Sequence, residues 1–458
     1  MSVIIFQTGF TQDVFRMTYP ELKVYEGKYE YKGGQTLEMA ASPVDGKLYA
    51  IIANARYALT PVRKDVFVNN GKQEVSFNRD THSIITGYQV HDDTPDKIFK
   101  LLDKQVSFSS KIWYARAPED SLYTYHSPRD MKDGIAVGNI SESGLDTAML
   151  KDMGRKLADG KFPNMHSVLI LKDNKLIFEE YFYEFNEETL QEIRSATKSF
   201  YSALVGIAID KKMIKSKNEP VMDFFPEYNL KNPSPEKYKI TIENLLTNQS
   251  GLDCEDDDPN SAGNENKMYG KPDWVKFVLD VPMLDTPGRK ARYCSGGVMA
   301  LGKIVEKASN QSLYAFSNKY LFGPMGVTKY NWEFQPDASH QDSYGQLYIR
   351  PRDMAKFGLL YLNEGRWNGT QIISGEWIRA SMEQHAILRN AGYGYLWWRP
   401  WYTIDGKKQT GIAAKGNGGQ RIYIRPDLHL VVVITGGVFN SESSADELIA
   451  HYILPSFK

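Results

Sequence analysis

From about Tyr25 to His91 the chain is written almost entirely in short alternations of apolar and polar residues: "GKYEYK", "QTLEMAA", "KLYAIIA", "RYALTPV", "DVFVNN", "QEVSFN" and "SIITGYQV". Turn signals "GG", "DG" and "NNG" separate them. Side chains alternate between the two faces of a strand, so each segment has one face to bury and is too short to bury it alone. Many short strands at close, regular spacing predict an antiparallel barrel or sandwich. A weakly patterned stretch runs on to about Gly134 and reads as a linker or packing arm, giving a first domain over 1–134.

Beyond it the period changes. "DTAMLKDMGRKLADG" predicts a helix, and "HSVLILKDNKLIFEEYFYEF" predicts two strands around a Lys-Asp-Asn turn. From about Lys212 to Ala391 helical patterns dominate, among them "TIENLLTNQ", "PDWVKFVLD", "GVMALGKIVEKAS", "PRDMAKFGLLYLNEG" and "SGEWIRASMEQ". Strands return in "QTGIAAKG", "QRIYIRPD" and "LHLVVVITGG", and "SADELIAHYILPSF" predicts a closing helix. Strands at both ends around a helical middle predict an α+β domain over 135–458. Its form is an α/β sandwich: one antiparallel sheet built from both ends, flanked by helices, with a mainly helical subdomain inserted.

With 458 residues the chain has room for both domains. The net charge of -1 offers nothing to nucleic acid or to an anionic membrane surface. No apolar run is long enough to span a bilayer. The start, "MSVIIFQTGFTQDVF", has neither a basic flank nor a long apolar core, so no signal peptide is expected in this chain. The native compartment and the oligomeric state stay open. Two cysteines, Cys254 and Cys294, cannot make a disulfide scaffold, and they form no CxxC or Cys/His cluster of the zinc type.

Chemistry enters with "EIRSATKSFYSALVGIAID", Glu192 to Asp210. Phe200, Ala203, Leu204, Ile207 and Ala208 share one helical stripe, and Ala203, Gly206 and Ala208 let neighbours approach closely. Ser195 stands at the head of this helix with Lys198 three residues on, so hydroxyl and amine share a face. A serine hydroxyl is a weak nucleophile until a base takes its proton. A buried lysine can be that base because burial favours its neutral form. The competing reading is an N-capping serine followed by a solvated lysine. A second Ser-x-x-Lys, Ser234 to Lys237, lies between prolines with no apolar helix after it and reads as accidental. No G-x-S-x-G and no HExxH occur. "EDDD", Glu255 to Asp258, lacks the spacing of a calcium loop and reads as a solvated acidic turn.

Two further boxes follow in order. "RYCSGGVMALGKIVEKAS" sets Tyr293 and Ser295 at a helix start, and "AAKGNGGQRIYIRPD" ends a strand in glycines. Ser-x-x-Lys, then Tyr-x-Ser, then a glycine-rich strand resembles the penicillin-recognising serine enzymes, above all their class C β-lactamase-like branch. That branch also holds esterases, D-amino-acid peptidases and hydrolases of 6-aminohexanoate oligomers. "ITIENLLTNQSGLD", "GQLYIRPRDMAKFGLLYLNEGRWNG" and "GYGYLWW" resemble further segments of it, and the resemblance runs from about Ile135 to the C-terminus.

The resemblance implies Ser195 as the acylated nucleophile, Lys198 as the partner accepting its proton, and Tyr293 as second base and proton donor to the leaving group. It implies an oxyanion hole from the backbone N–H groups of Ser195 and Asn417. Ser295, Gly416, Gly418 and Trp398 are then expected at the substrate. The function implied is a serine hydrolase cleaving a small carboxylic ester or amide through an acyl-serine, with no metal and no organic cofactor. The alternatives are a D-amino-acid peptidase or β-lactamase of the penicillin-binding type, or a silent binding protein on the same fold.

The sequence departs from the family in one box. β-Lactamases carry Lys-Thr-Gly there, the lysine holding the substrate carboxylate; here Ala414-Lys415-Gly416 stands instead, with Lys415 expected on the opposite face of the strand. An ester, or an amide without that anion, therefore fits better than a β-lactam. Trp397, Trp398 and Trp401 either wall an acyl pocket or pack the core, with core favoured for most. Cys294 reads as a small buried filler. The early strands faintly resemble a small lipocalin-like barrel that accompanies many of these hydrolases.

Overall fold

The computed structural model describes residues 15–31, 35–52, 55–91, 97–107, 109–116, 122–333 and 346–457. The apolar start and the "GG" turn at 33–34 lie outside them. The chain divides into two compact units, 1–113 with 439–441, and 114–438 with 442–458.

The first unit is a closed eight-stranded antiparallel barrel. Its strands run in chain order from Gly27–Glu30 to Phe99–Asp103, and the last pairs back onto the first. Closure leaves no open edge. The inward positions carry Tyr25, Tyr29, Phe67, Phe77, Tyr88 and Phe99, all buried. The rings fill the interior against one another, Tyr29 edge-on to Tyr88 at 5.6 Å and Tyr88 stacked on Phe99 at 5.1 Å. The barrel is thus a packed core, with its alternation written in the sequence.

The second unit is built on a nine-stranded sheet. Its order is Ala386–Leu388, Ala391–Tyr393, Trp398–Arg399, Ile412–Gly416, Gln420–Arg425, Leu430–Gly436, Met165–Lys172, Lys175–Tyr181 and Ala136–Val137. The sheet is antiparallel except at its last edge, where Ala136–Val137 lies parallel to Lys175–Tyr181. Both ends of the domain meet in the register Val168↔Ile434 and Leu169↔Val433. The alternation then sorts side chains into two cores. Leu169, Leu171, Val431 and Val433 share one core with the helices Thr197–Asp210, Ser295–Ser309 and Pro351–Leu362. Val168, Ile170, Val432 and Ile434 face the helix Thr147–Ala158 and the C-terminal segment.

This is the expected α+β sandwich, with four local differences. Residues 122–134, grouped above with the barrel as a linker, pack on the second unit. There the Tyr123 hydroxyl donates to Glu180 at 2.8 Å and a Cβ on Gly154 would collide with the Tyr123 ring. The predicted closing helix is broken into an α-turn at Ala445–Leu448, a wider π-turn at Ile449–Ile453 and a 3-10 turn at Leu454–Ser456. A small three-stranded sheet, Gln191–Glu192, Gln346–Ile349 and Tyr330–Glu333, sits inside the helical middle. Finally, Cys254 and Cys294 are joined in a disulfide. Cys294 is therefore not the lone filler expected, because the fold brings its single possible partner within a Cα separation of 5.3 Å.

Candidate active site

Ser195 sits on a 3-10 turn, Arg194–Ala196, at the head of Thr197–Asp210. Three contacts hold that turn. Ile193 N–H donates to the Leu347 carbonyl, and the Thr197 hydroxyl accepts the Leu347 N–H, both at 3.1 Å. The glycine strand presses on it from the other side: a Cβ on Gly416 would stand 2.2 Å from the Ile193 carbonyl oxygen and 3.1 Å from the Ala196 nitrogen. Only glycine allows that approach. Arg194, just before the serine, holds a left-handed φ of 49°, a conformation costing about 1–2 kcal/mol outside glycine. The surrounding contacts impose it.

Every residue of the helix from Thr197 to Ala208 is buried, wider than the single stripe predicted. Phe200 stacks on Phe357 at 3.8 Å, and Gly206 lets the Trp377 ring lie against the backbone. Lys198 is carried into this interior at 6% exposure. Its Nζ donates to Ser195 Oγ at 2.9 Å and lies 4.9 Å from the centre of the Tyr293 ring. Burial alone favours the neutral amine, as the sequence led one to expect, but the neighbours of Lys198 oppose it. Burial pushes it down, but its neighbours Tyr293, Glu265 and Asp256 outweigh that and raise it above the ordinary lysine value.

Tyr293 precedes the Ser295–Ser309 helix, whose first turn is capped by Cys294 Sγ accepting from Gly297 N–H at 3.3 Å. Asp256, expected in a solvated turn, reaches this box instead. Its Oδ2 accepts the Ser295 N–H at 2.8 Å, its Oδ1 accepts the Glu265 N–H at 3.1 Å, and its own N–H donates to the Tyr293 carbonyl at 2.8 Å. Burial, then the like charge of Glu265, raises its carboxyl to about 6 against the pull of Lys198. The Cys254–Cys294 bond explains why this segment is not free: it ties the start of the acidic loop to the tyrosine box. Pairing the only two cysteines was the signal that could have placed Asp256.

The remaining site residues divide. Ser295 is buried, its amide engaged by Asp256. Gly418 and Gly419, with φ of 90° and 101°, make the three-residue turn with Asn417 that follows Gly416. Ala414 faces the helix-side core, while Lys415 points to the other face and pairs with Asp446 at 3.0 Å. Trp398 lies beside Tyr293 at 5.8 Å between ring centres and edge-on to Tyr393 at 4.8 Å. Trp397 is core, packed on Tyr361 at 4.4 Å, and Trp401 is half exposed. The second Ser-x-x-Lys brings no amine to its serine: Lys237 Nζ donates to the carbonyls of Leu279 and Val281 at 2.8 and 2.7 Å. Arg389 was not foreseen at all. It lies over the Tyr293 ring at 4.1 Å.

The model of the Beta-lactamase family matches residues 151–454, and the chain belongs to that family. It is 22% identical over 289 residues to the 6-aminohexanoate-dimer hydrolase of Paenarthrobacter ureafaciens, covering 58% of this chain and 70% of the relative. It is 23% identical over 230 residues to Beta-lactamase-like protein 2 of Dictyostelium discoideum, covering 44% of this chain but only 40% of that longer relative. Among solved structures, a family VIII carboxylesterase shares the fold at a TM-score of 0.54 and 16% identity, over 67% of this chain and 94% of the esterase. Among the described residues no helix is long and apolar enough to cross a membrane.

Proposed function

We propose that the protein is a serine hydrolase that cleaves a small carboxylic ester or amide through an acyl-Ser195 intermediate. The observation that carries the reading is the 2.9 Å hydrogen bond from Lys198 Nζ to Ser195 Oγ, at the head of a buried helix and beside Tyr293. Family membership and relatives described as a dimer hydrolase and a carboxylesterase support it.

Because the groups around Lys198 raise it above the ordinary lysine value, its role is to stabilise the developing serine alkoxide through that hydrogen bond. As Oγ attacks the carbonyl carbon, the Tyr293 hydroxyl relays the proton: its oxygen takes the one from Ser195 while its own passes to the leaving group. The oxyanion forms against the N–H groups of Ser195 and Asn417, which Gly416 lets approach the serine turn. In the second half the same relay runs from the attacking water through the Tyr293 hydroxyl to Ser195 Oγ as the acyl group is released. Gly418 and the indole of Trp398 border the substrate.

The test is intact-mass measurement after a fluorophosphonate probe, with mapping of the labelled peptide, beside hydrolysis of p-nitrophenyl butyrate. Label on Ser195, with label and turnover both lost in Ser195→Ala, is the expected result. Label on another serine overturns the assignment.

A further inference from the structure

Two cations lie on the ring of Tyr293. One is Lys198, buried and turned to Ser195. The other is Arg389, whose guanidinium carbon stands 4.1 Å from the ring centre and 5.8 Å from that of Trp398. Its side chain is 42% exposed, so this is the outer, solvent-facing cation of the pair.

Arg389 sits at the tip of the hairpin formed by Ala386–Leu388 and Ala391–Tyr393. Arg389 and Asn390 both have positive φ, 47° and 62°. A two-residue turn of this kind favours Asn-Gly, which adopts it without strain. An arginine there costs stability, so a side-chain role has to offset the cost. The guanidinium uses one edge on Asp257, with Nη2 donating to Oδ1 at 2.6 Å and Nε to Oδ2 at 2.5 Å. Nη1 makes no hydrogen bond to any described residue. An arginine fixed by one carboxylate and stacked on aromatic rings keeps a second edge ready for another planar anion.

Asp257 and Glu255 lie beside the guanidinium on the acidic loop, whereas the cavity beyond it is basic. The same hairpin walls a cavity of about 430 Å³ against the segment before Tyr293, lined by Gln249, Arg289, Lys290, Gln384, His385 and Ile387 with no acidic side chain. The strand that carries a carboxylate-binding lysine in β-lactamases offers none here, since Ala414 is buried and Lys415 is committed to Asp446.

We propose that Arg389 is a specificity-determining residue that binds a carboxylate on the leaving group of the substrate. This rests on the acyl-serine reading, in which Tyr293 protonates the leaving group. Arg389, the more exposed of the two cations on that ring, is then placed to meet the departing group, and the basic cavity beyond it receives the rest of that group. The favoured substrates are esters or amides of an acid-bearing alcohol or amine. On this proposal the missing strand lysine is replaced from the hairpin, and a substrate that carries an anion is favoured.

The experiment compares kcat/KM for p-nitrophenyl butyrate and for the 3-carboxy-4-nitrophenyl ester of the same acid, which differ by one leaving-group carboxylate. The wild type is expected to favour the carboxylated ester about tenfold or more. Arg389→Asn, which suits the left-handed turn, should bring the ratio near one, and Arg389→Lys should keep an intermediate ratio. A wild-type ratio near one, or a ratio unchanged in Arg389→Asn, overturns the proposal. Turnover of the neutral ester that vanishes in Ser195→Ala keeps the acyl-serine reading standing in either case. Turnover of neither ester by the wild type overturns both.

Discussion

The α-carbon of Gly416 lies so close to the Ile193 carbonyl that a methyl group between them would stand 2.2 Å from the oxygen. Strand end and serine turn are therefore positioned by mutual contact. Gly416→Ala must push them apart. Overpacking of this kind costs about 1–3 kcal/mol, and displacing one oxyanion donor costs about a hundredfold to a thousandfold in turnover. The expected result is a folded protein of lowered melting temperature with p-nitrophenyl butyrate turnover down by at least about a hundredfold. Unchanged turnover would remove Asn417 from the oxyanion hole.

Ser195 and Lys198 act through one hydrogen bond, so their losses should not add. Ser195→Ala, Lys198→Ala and the double variant are expected to show similar residual rates, with folding retained in Ser195→Ala by circular dichroism. If the double variant is slower than both singles by the product of their separate losses, the two residues act independently.

Asp256 supplies a pH dependence. Its carboxyl is raised to about 6, so it is charged above that pH and takes up a proton as the pH falls through it. Protonation removes negative charge that supports the Lys198 ammonium and weakens the acceptor of the Ser295 amide. The kcat/KM profile should therefore fall on the acid side near pH 6. Asp256→Asn should lose that limb and run about tenfold slower at pH 8, the scale of one charge-assisted hydrogen bond. An acid limb at the same pH in Asp256→Asn would assign it to another group.

Local signals explain what was legible in advance. The barrel strands and the Met165–Tyr181 hairpin are written in alternation and turn residues, and Asp173 and Asn174 do take the positive φ their turn needs. Ser195 and Lys198 were singled out by their place at a helix start, and Tyr293 by the resemblance of its box to that of the family. What was missed depends on partners distant in sequence. Asp256 looks solvated until Cys254 is joined to Cys294. Arg389 is one more surface arginine until its hairpin folds over Tyr293. The state of Lys198 is hidden for the same reason: burial can be read from a stripe of apolar residues, but the groups that oppose it come from elsewhere in the chain.

Tyr293→Phe isolates proton delivery from packing. The ring touches Lys198, Arg389 and Trp398, and phenylalanine keeps those contacts while removing the oxygen. Turnover should fall about a hundredfold to ten-thousandfold, the range for a general acid–base group. The fall should be larger for a p-nitroanilide than for the matched p-nitrophenyl ester. Nitrophenolate leaves without a proton, whereas an amine must be protonated before its bond to carbon breaks. The measurement is the ratio of the two losses, anilide over ester, in one acyl series. A ratio well above one assigns Tyr293 to the leaving group. Equal losses would restrict it to activating Ser195, and rates near wild type for both would reduce it to a packed tyrosine. The same variant also bears on Arg389, because its guanidinium rests on the ring and not on the hydroxyl. The preference for a carboxylated leaving group should persist in Tyr293→Phe even as both rates fall.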